Sequence, residues 1–397
     1  MPLFLNIKLI MRYILFLVCF LFFSNLSFAG KLSICDKNFV DTIPIEFKAG
    51  KILVPVSIQG KEYRFILDTG ADMEYIYKSS SINLIKSEKV FAVKDFNNKR
   101  ETADVTLPVD FTIGHIHVHN SVFSVVNGFF GDCISEGVLG FNLINSGVVA
   151  KIDLTKKLLI LTDRKHFFDH EEGVDIKYNL SEGEPWVKFN ISYGGLGYAL
   201  FDTGDPEFFN MDKFIYDKFN KKKNNGLFYQ QVVWKDSAQI DYGVNGLEKE
   251  AEHVFLKAKN LSMGDVNFYN PKIEGGSGST VFGVEVLKYG SIIINPFKRA
   301  FIYQPNCGKT DITVNNYQSK IRLAYINDKP VIQLIDKNSY PYQQGARKGD
   351  VILEIDGQEI TDICQFIKAK ENLEEKNSYV IKLQDNNGNV KFVKINK

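Results

Sequence analysis

The 397-residue sequence has little cysteine, histidine, methionine or tryptophan, with 5, 6, 5 and 2 residues respectively, and its net charge is only +1. A charge this close to zero argues against a nucleic-acid or anionic-membrane partner, since both polyanions need a basic surface. There is no Cys-x-x-Cys pair and no histidine placed beside a cysteine, so neither a metal nor another cofactor is expected. Helical periodicity is scarce, confined to the stretches near Met211 to Phe219 and Cys364 to Leu373 and to short segments after Gly140 and Gly283. Beyond Phe23 no apolar run approaches the length of a bilayer-spanning helix.

What the chain has in quantity is Phe and Tyr, at 32 and 18 residues, in short runs with Ile and Val separated by Gly and Asn. That pattern predicts a mainly β protein. The length suits three units, each able to bury its own core.

One tripeptide occurs twice. Asp68-Thr69-Gly70 follows Phe65-Ile66-Leu67, and Asp202-Thr203-Gly204 follows Ala199-Leu200-Phe201. Each copy closes an apolar strand. Upstream, the runs from Ile52 to Leu67 and from Trp186 to Phe201 both read as a hairpin with Gly at the turn. Downstream, Phe111 to Gly114 with Asn120 matches Leu261 to Gly264 with Asn270 at a constant offset of 150 positions. Val138-Leu139-Gly140 then answers Val281-Phe282-Gly283, and each half ends in paired apolar strands, near 148–152 with 158–161 and 292–294 with 300–303. A duplicated domain accounts for all of these anchors. Asp-Thr-Gly alone is also ordinary turn chemistry, and the pairing in register inside a repeat is what gives it chemical meaning. Two carboxylates brought face to face cannot both ionise, so one is held as an acid beside a base.

With these motifs the chain resembles the pepsin-like and retropepsin-like aspartic proteases, over roughly residues 48 to 305. The run Ile66 to Asp72 is similar to the active-site loop of the retroviral enzymes, and the two-lobed single chain is similar to pepsin. In that family two aspartates share one proton. The resemblance implies two β-barrel lobes, at 43–165 and 174–306, with Asp68 and Asp202 as the catalytic dyad acting on a shared water. It implies that Thr69 and Thr203 tie the two loops together, that Gly70 and Gly204 let backbone N–H groups reach the carboxylates, and that Gly140 and Gly283 support the loops from behind. No metal or covalent intermediate is implied. The copies differ after the motif, where Ala71 in the first faces Asp205 followed by Pro206 in the second. A third carboxylate there either shifts the working pH or marks a lobe drifting from catalysis.

Members of this family cover the cleft with a flexible hairpin, for which Val90 to Val105 around Asn97-Asn98 is the counterpart in the first half. In the second half the segment from Val232 to Lys235 and on to Asp241-Tyr242-Gly243 is the candidate, and no residue can be assigned as the pepsin-type flap tyrosine. After Pro305 the repeat stops. Residues 313–397, with Gly349-Asp350 and Asp356-Gly357 flanking a strand, resemble the PDZ domains of bacterial exported proteases, with a helix around Ile363 to Leu373. The resemblance implies a groove for an extended peptide. The carboxylate-binding loop of that family would fall near Ile321 to Tyr325, which lacks the usual glycines.

The N-terminus reads as an address. Lys8 and Arg12 precede the apolar stretch Tyr13 to Phe23, and Ser27-Phe28-Ala29 predicts cleavage before Gly30, so residues 1–29 are a signal peptide. The mature chain is expected to be exported, periplasmic or secreted, with no stable membrane span and no long prosegment. Cys35, Cys133, Cys307 and Cys364 remain, permitting two disulfides in any of three connectivities. Cys364, beside Ile363 and Phe366, reads as a buried apolar residue. His115, His117 and His119 share one strand face at period two; the matching Asp265, Asn267 and Tyr269 of the other half favour a solvated face over a metal site.

The function expected from the sequence is therefore an exported aspartic endopeptidase acting on peptide or protein substrates, with a PDZ-like unit for peptide or partner recognition. A catalytically inactive peptide-binding scaffold on the same fold is the second reading, resting on Asp205 and the unassigned flap tyrosine.

Overall fold

The computed structural model describes residues 32–128, 131–221, 225–240, 242–276, 278–373 and 376–396. The signal peptide expected at 1–29 lies outside the described residues. Among the described residues no helix is long and apolar enough to cross a membrane.

Strands dominate because apolar residues recur at every second position and turn residues interrupt them. In the first half, Lys51–Ile58 and Lys61–Leu67 form the hairpin expected before the first Asp, with Leu53 opposite Ile66 and Val54 opposite Phe65. The turn carries Gln59 at φ 54° and Gly60 at φ 78°, the left-handed pair that matches strand twist. In the second half Glu184–Ile191 and Gly195–Asp202 pair the same way, Val187 opposite Ala199.

The downstream repeat reaches the level of backbone conformation. Val109–Ile113 and Ile116–Ser121 form one hairpin, Asn260–Met263 and Val266–Tyr269 the other. Gly114 and Gly264 both stand at φ 58°, and so do Asn120 and Asn270. Side chains tolerate that region poorly, and Gly and Asn tolerate it best.

The two halves meet in a shared antiparallel sheet. Val40–Pro44, Leu158–Thr162 and Val149–Asp153 from the first half continue into Gly290–Asn295, Ala300–Pro305 and Val174–Ser181 from the second. The seam sets Ala150 opposite Ile294 and Ile152 opposite Ile292, all fully buried. One apolar core consequently runs through both lobes, from Ile52 and Phe65 to Phe201, Phe282 and Tyr303. Burying side chains of that size contributes roughly 1.5–3 kcal/mol each, which fixes the two lobes against each other. Asp311–Thr313 adds in parallel to Val266–Tyr269, so the second lobe extends past Pro305 before the chain leaves it.

The C-terminal residues form a separate sheet of Ile321–Ile326, Lys329–Ile335, Val351–Ile355, Ser378–Gln384 and Val390–Asn396, with Gln358–Glu359 beside the third of these. Its helix Ile363–Glu371 is capped by Asp362, whose side chain accepts from the Gln365 N–H, and packs Phe366 and Ala369 into a core of its own. Ile321 to Tyr325, expected as a loop, is strand; Ile321 and Ala324 turn inward while Arg322 turns toward the second lobe.

The cysteine pairing departs from expectation. Cys364 is exposed and bonded to Cys133, not buried as an apolar residue, because the first turn of its helix lies against the short turn Gly131–Cys133 of the first lobe. Periodicity within one helix cannot reveal a partner 231 positions away. Cys35 and Cys307 are free and exposed. His115, His117 and His119 each face a different carboxylate, Asp41, Asp36 and Asp110, at 3.3, 3.3 and 3.0 Å.

Candidate active site

Each Asp-Thr-Gly leaves the end of a strand braced by a neighbouring segment. Gly137–Leu139 lies parallel to Lys61–Leu67, Val138 opposite Ile66, and antiparallel to Tyr75–Tyr77. In the second lobe Val281–Gly283 lies parallel to Gly195–Asp202, Phe282 opposite Phe201, and antiparallel to Phe209–Met211. The chain thus crosses back behind its own Asp loop in both halves. Gly140 sits so tightly there that a Cβ would fall 2.4 Å from the Met73 carbonyl oxygen, and at Gly283 it would fall 2.1 Å from that of Glu207. Any side chain would push the loop out of place.

The threonines join the loops. Thr69 Oγ1 donates to the Phe201 carbonyl at 2.6 Å, and Thr203 Oγ1 donates to the Leu67 carbonyl at 2.7 Å. Each hydroxyl also accepts the backbone N–H of the opposite threonine at 3.0 Å. Both residues are fully buried, so water offers no substitute for these bonds. This symmetric lock fixes the distance between the strand ends that carry the two aspartates.

Asp68 and Asp202 are brought into hydrogen-bond contact with each other. Gly70 N–H donates to Asp68 Oδ1 at 2.8 Å, and Gly204 N–H donates to Asp202 Oδ1 at 2.7 Å. The glycines are required by the opposite carboxylate as well: a Cβ on Gly70 would lie 2.4 Å from Asp202 Cγ, and one on Gly204 would lie 2.3 Å from Asp68 Oδ2. Burial raises both carboxyls above the ordinary range. Asp202 rises further because charged Asp68 lies beside it, while the hydrogen bond from Asp202 offsets part of the rise at Asp68. Two carboxyls in contact cannot both ionise readily, so the pair holds one proton between them and offers an acid beside a base.

Asp205, the departure from the first copy, is engaged elsewhere. Its Oδ1 accepts the Glu207 N–H at 2.8 Å and its backbone oxygen accepts the Val284 N–H at 2.8 Å. Ala71 plays the backbone part of that role in the first lobe, accepting the Phe141 N–H at 2.7 Å. Asp205 thus braces its own loop as an Asx turn. Burial, then the Asp202 charge, push its carboxyl up to about 7.

Sequence reasoning did not single out Glu184, Glu74 or Lys51. Glu184 opens the strand that follows the Glu182-Gly183 turn, and burial with the charges of Asp72 and Asp202 pushes it up to about 8. Glu74 is buried behind the first loop, accepting from Asn142 Nδ2 at 2.7 Å and Ser121 Oγ at 3.0 Å, and burial raises it to about 7. Lys51 opens the hairpin strand of the first lobe and donates to the Gly204 carbonyl of the second. Only the folding of distant segments together gives these residues their setting, and a linear pattern does not encode it.

The expected flap is a hairpin of Lys86–Lys94 and Arg100–Thr106, with Asn98 at φ 60° in its turn. Its tip reaches the second lobe. Asn245 Nδ2 donates to the carbonyls of Val93 and Lys99 at 3.0 and 2.9 Å, Lys99 Nζ donates to those of Asn245 and Leu247 at 3.1 and 3.0 Å, and Ser279 Oγ donates to that of Phe96 at 2.9 Å. In the second half Val232–Ala238 pairs instead with Ala251–Lys257, and Tyr242–Gly243 pairs with Gly246–Leu247 in a small hairpin that receives the flap tip. The segment expected as one second-half flap is thus divided between two hairpins.

Residues 54–143 match the model of a family described as aspartyl protease, a span that holds Asp68, Thr69, Gly70 and Gly140. No curated protein matches the sequence. Among solved structures the chain is similar to the aspartic proteinase from Irpex lacteus, at 12% identity and TM-score 0.44, covering 68% of this chain and 99% of that one. It is also similar to basic 7S globulin from soybean, at 10% identity and TM-score 0.42, covering 67% of this chain and 94% of that one. The fold is mainly β, and the match to the aspartyl protease model falls within its first half.

Proposed function

We propose that the protein is an aspartic endopeptidase in which Asp68 and Asp202 activate one water against a peptide carbonyl. The observation that carries this reading is the contact between the Asp68 and Asp202 carboxyls at the meeting point of two matched loops locked by Thr69 and Thr203. One carboxylate of the pair takes a proton from the water as its oxygen attacks the carbonyl carbon. The other, protonated, gives its proton to the carbonyl oxygen, forming a tetrahedral diol; proton transfer to the amide nitrogen then releases the amine and regenerates the carboxyl pair. Thr69 and Thr203 keep the carboxyls at bonding distance, and the Gly70 and Gly204 N–H groups stabilise whichever is ionised. The hairpin around Phe96 covers the cleft and excludes water.

The substrates on this reading are peptides or unfolded proteins. The C-terminal unit is read as a PDZ-like domain that recruits or regulates them, and residues 1–29 as the signal that exports the chain to the periplasm or medium. The Cys133–Cys364 disulfide supports an oxidising compartment. The bonds between the flap tip and Asn245 and Ser279 favour the second reading, a closed peptide-binding scaffold without turnover.

Digestion of an unfolded protein at several pH values, with and without a statine-type inhibitor, separates the two. Endopeptidase activity predicts inhibitor-sensitive cleavage that Asp68→Asn or Asp202→Asn abolishes without unfolding. Cleavage that is absent at every pH, or indifferent to the inhibitor, supports the scaffold.

A further inference from the structure

The loops around the dyad concentrate negative charge. Asp202 and Asp205 are buried in the second loop, half-buried Asp68 meets them from the first, and Glu184 and Asp72 add their fields from the lobe boundary. Such a cluster would drive every carboxyl toward its neutral form, yet the chemistry needs one ionised partner. A compensating cation is therefore of functional interest.

Lys51 stands in the required place. It begins the strand Lys51–Ile58, and its ammonium donates to the Gly204 carbonyl. The N–H of the same glycine donates to Asp202 Oδ1, and the Cα of that glycine lies against the Asp68 carboxylate, so Lys51 holds the residue that both carboxyls touch. Its neighbour Gly50, at φ 71°, packs against Pro206 so closely that a Cβ would lie 2.6 Å from Pro206 Cβ. The start of the first-lobe strand is thereby seated on the stretch from Gly204 to Pro206. The charged groups around this contact are Asp68, Asp202, Asp205, Glu207, Glu184 and Asp72, with Lys48 across the strand pair from Lys51.

We propose that Lys51 is a positioning residue for the dyad, bracing the second Asp loop through Gly204 and supplying the positive charge that keeps one of the paired carboxyls ionised. The contact is between lobes, so the first half of the repeat completes the electrostatics of the second. It also answers the asymmetry of the copies: the second loop has the extra carboxylate Asp205, and the second loop receives the lysine. The field of Lys51 acts downward on the carboxyls of Asp68, Asp202 and Asp205 alike, which is the direction this role needs.

This inference deepens the peptidase reading and rests on it for the role of the dyad, while its test fails separately. Aspartate side-chain carboxyls in the full chain are 13C-labelled and titrated by NMR, with Asp68→Asn and Asp202→Asn used to assign the dyad signals. In K51M and K51Q the dyad transitions should move to higher pH by about 1–3 units, the effect of losing an opposite charge a few ångströms away. K51R should keep them near their original place. K51Q retains a donor for the Gly204 carbonyl, so it separates charge from loop bracing and serves where K51M does not fold. The pH profile of peptide cleavage should shift in the same direction in K51M and K51Q and return in K51R. A folded K51M or K51Q whose dyad titrates as in the parent protein overturns the role of Lys51. If the carboxyls shift while the parent protein cleaves nothing, the peptidase reading fails and the role of Lys51 stands.

Discussion

Arg322 of the C-terminal unit donates to Glu207 Oε1 at 2.8 Å, and Glu207 stands five positions after Asp202 on the second Asp loop. The same guanidinium donates to Glu274 Oε2 at 2.6 Å, whose other oxygen is 2.7 Å from His253 Nδ1. Burial would raise Glu274, and Arg322 with His253 outweighs it and holds the carboxyl low. Arg322 also lies over the Phe255 ring, in a cluster where Leu334 of the C-terminal sheet joins Trp234. The C-terminal unit is thus seated on the lobe that carries Asp202, through a planar fork that a lysine cannot reproduce.

Arg322→Ala should lower stability by about 2 kcal/mol, below the loss of roughly 3–5 for a fully buried broken pair because the arginine is partly exposed to solvent. Peptide cleavage should fall with it, since Glu207 anchors the loop through Asp205. Urea unfolding and steady-state rates measure the two effects. An unchanged unfolding midpoint would show that the contact contributes nothing.

Thr69→Val should cost more than its size suggests. The substitution leaves the Phe201 carbonyl and the Thr203 N–H unpaired in a dry interface, each a loss of roughly 1–3 kcal/mol. Thr69→Ser retains both bonds and should recover most of the stability and rate. If valine and serine behave alike in thermal unfolding and in kcat, the lock between loops has no energetic role.

The repeat was the most legible part of the chain because it is local and doubled. Asp-Thr-Gly, the glycines at 140 and 283, and the Gly and Asn pairs at 114, 120, 264 and 270 each mark a backbone demand that only certain residues meet, and such demands stay visible in one dimension. Lys51, Glu184 and Arg322 were not legible. Each looks like an ordinary solvated charge on a strand or turn, and takes its meaning from a partner on another lobe or unit. Glu74 illustrates the same limit from inside the core. Its position in the first copy corresponds to Phe208 in the second, and nothing in the sequence says which half has hydrogen-bonding partners waiting.

The Cys133–Cys364 bridge ties the C-terminal helix to the first lobe, while Arg322 ties the C-terminal sheet to the second. Replacing both cysteines by serine should lower stability by about 2–4 kcal/mol, since a long loop of the unfolded chain is released. Alkylation of the folded protein without reductant, read by mass spectrometry, should label Cys35 and Cys307 and spare the bridged pair. Labelling of all four would remove the bridge from the account.

Glu74 gives the protein a stability that declines with rising pH. Its carboxyl titrates near 4.5 in an unfolded chain and at about 7 in the fold, where burial favours the neutral form. Between those values the folded protein binds more protons than the unfolded one, so stability falls as pH rises. The contribution is complete below pH 4.5 and lost as pH passes through 7, amounting to on the order of 3 kcal/mol across the window. Asp205, raised to about 7 by burial and the Asp202 charge, adds a term of the same sign. Glu74→Gln keeps the shape of the protonated acid and its oxygen still accepts from Asn142, but it cannot ionise. In urea unfolding from about pH 4 to about pH 8, the variant should match the parent at the acid end and exceed it at the neutral end. Parallel stability curves for the two proteins would mean that Glu74 is already ionised in the fold.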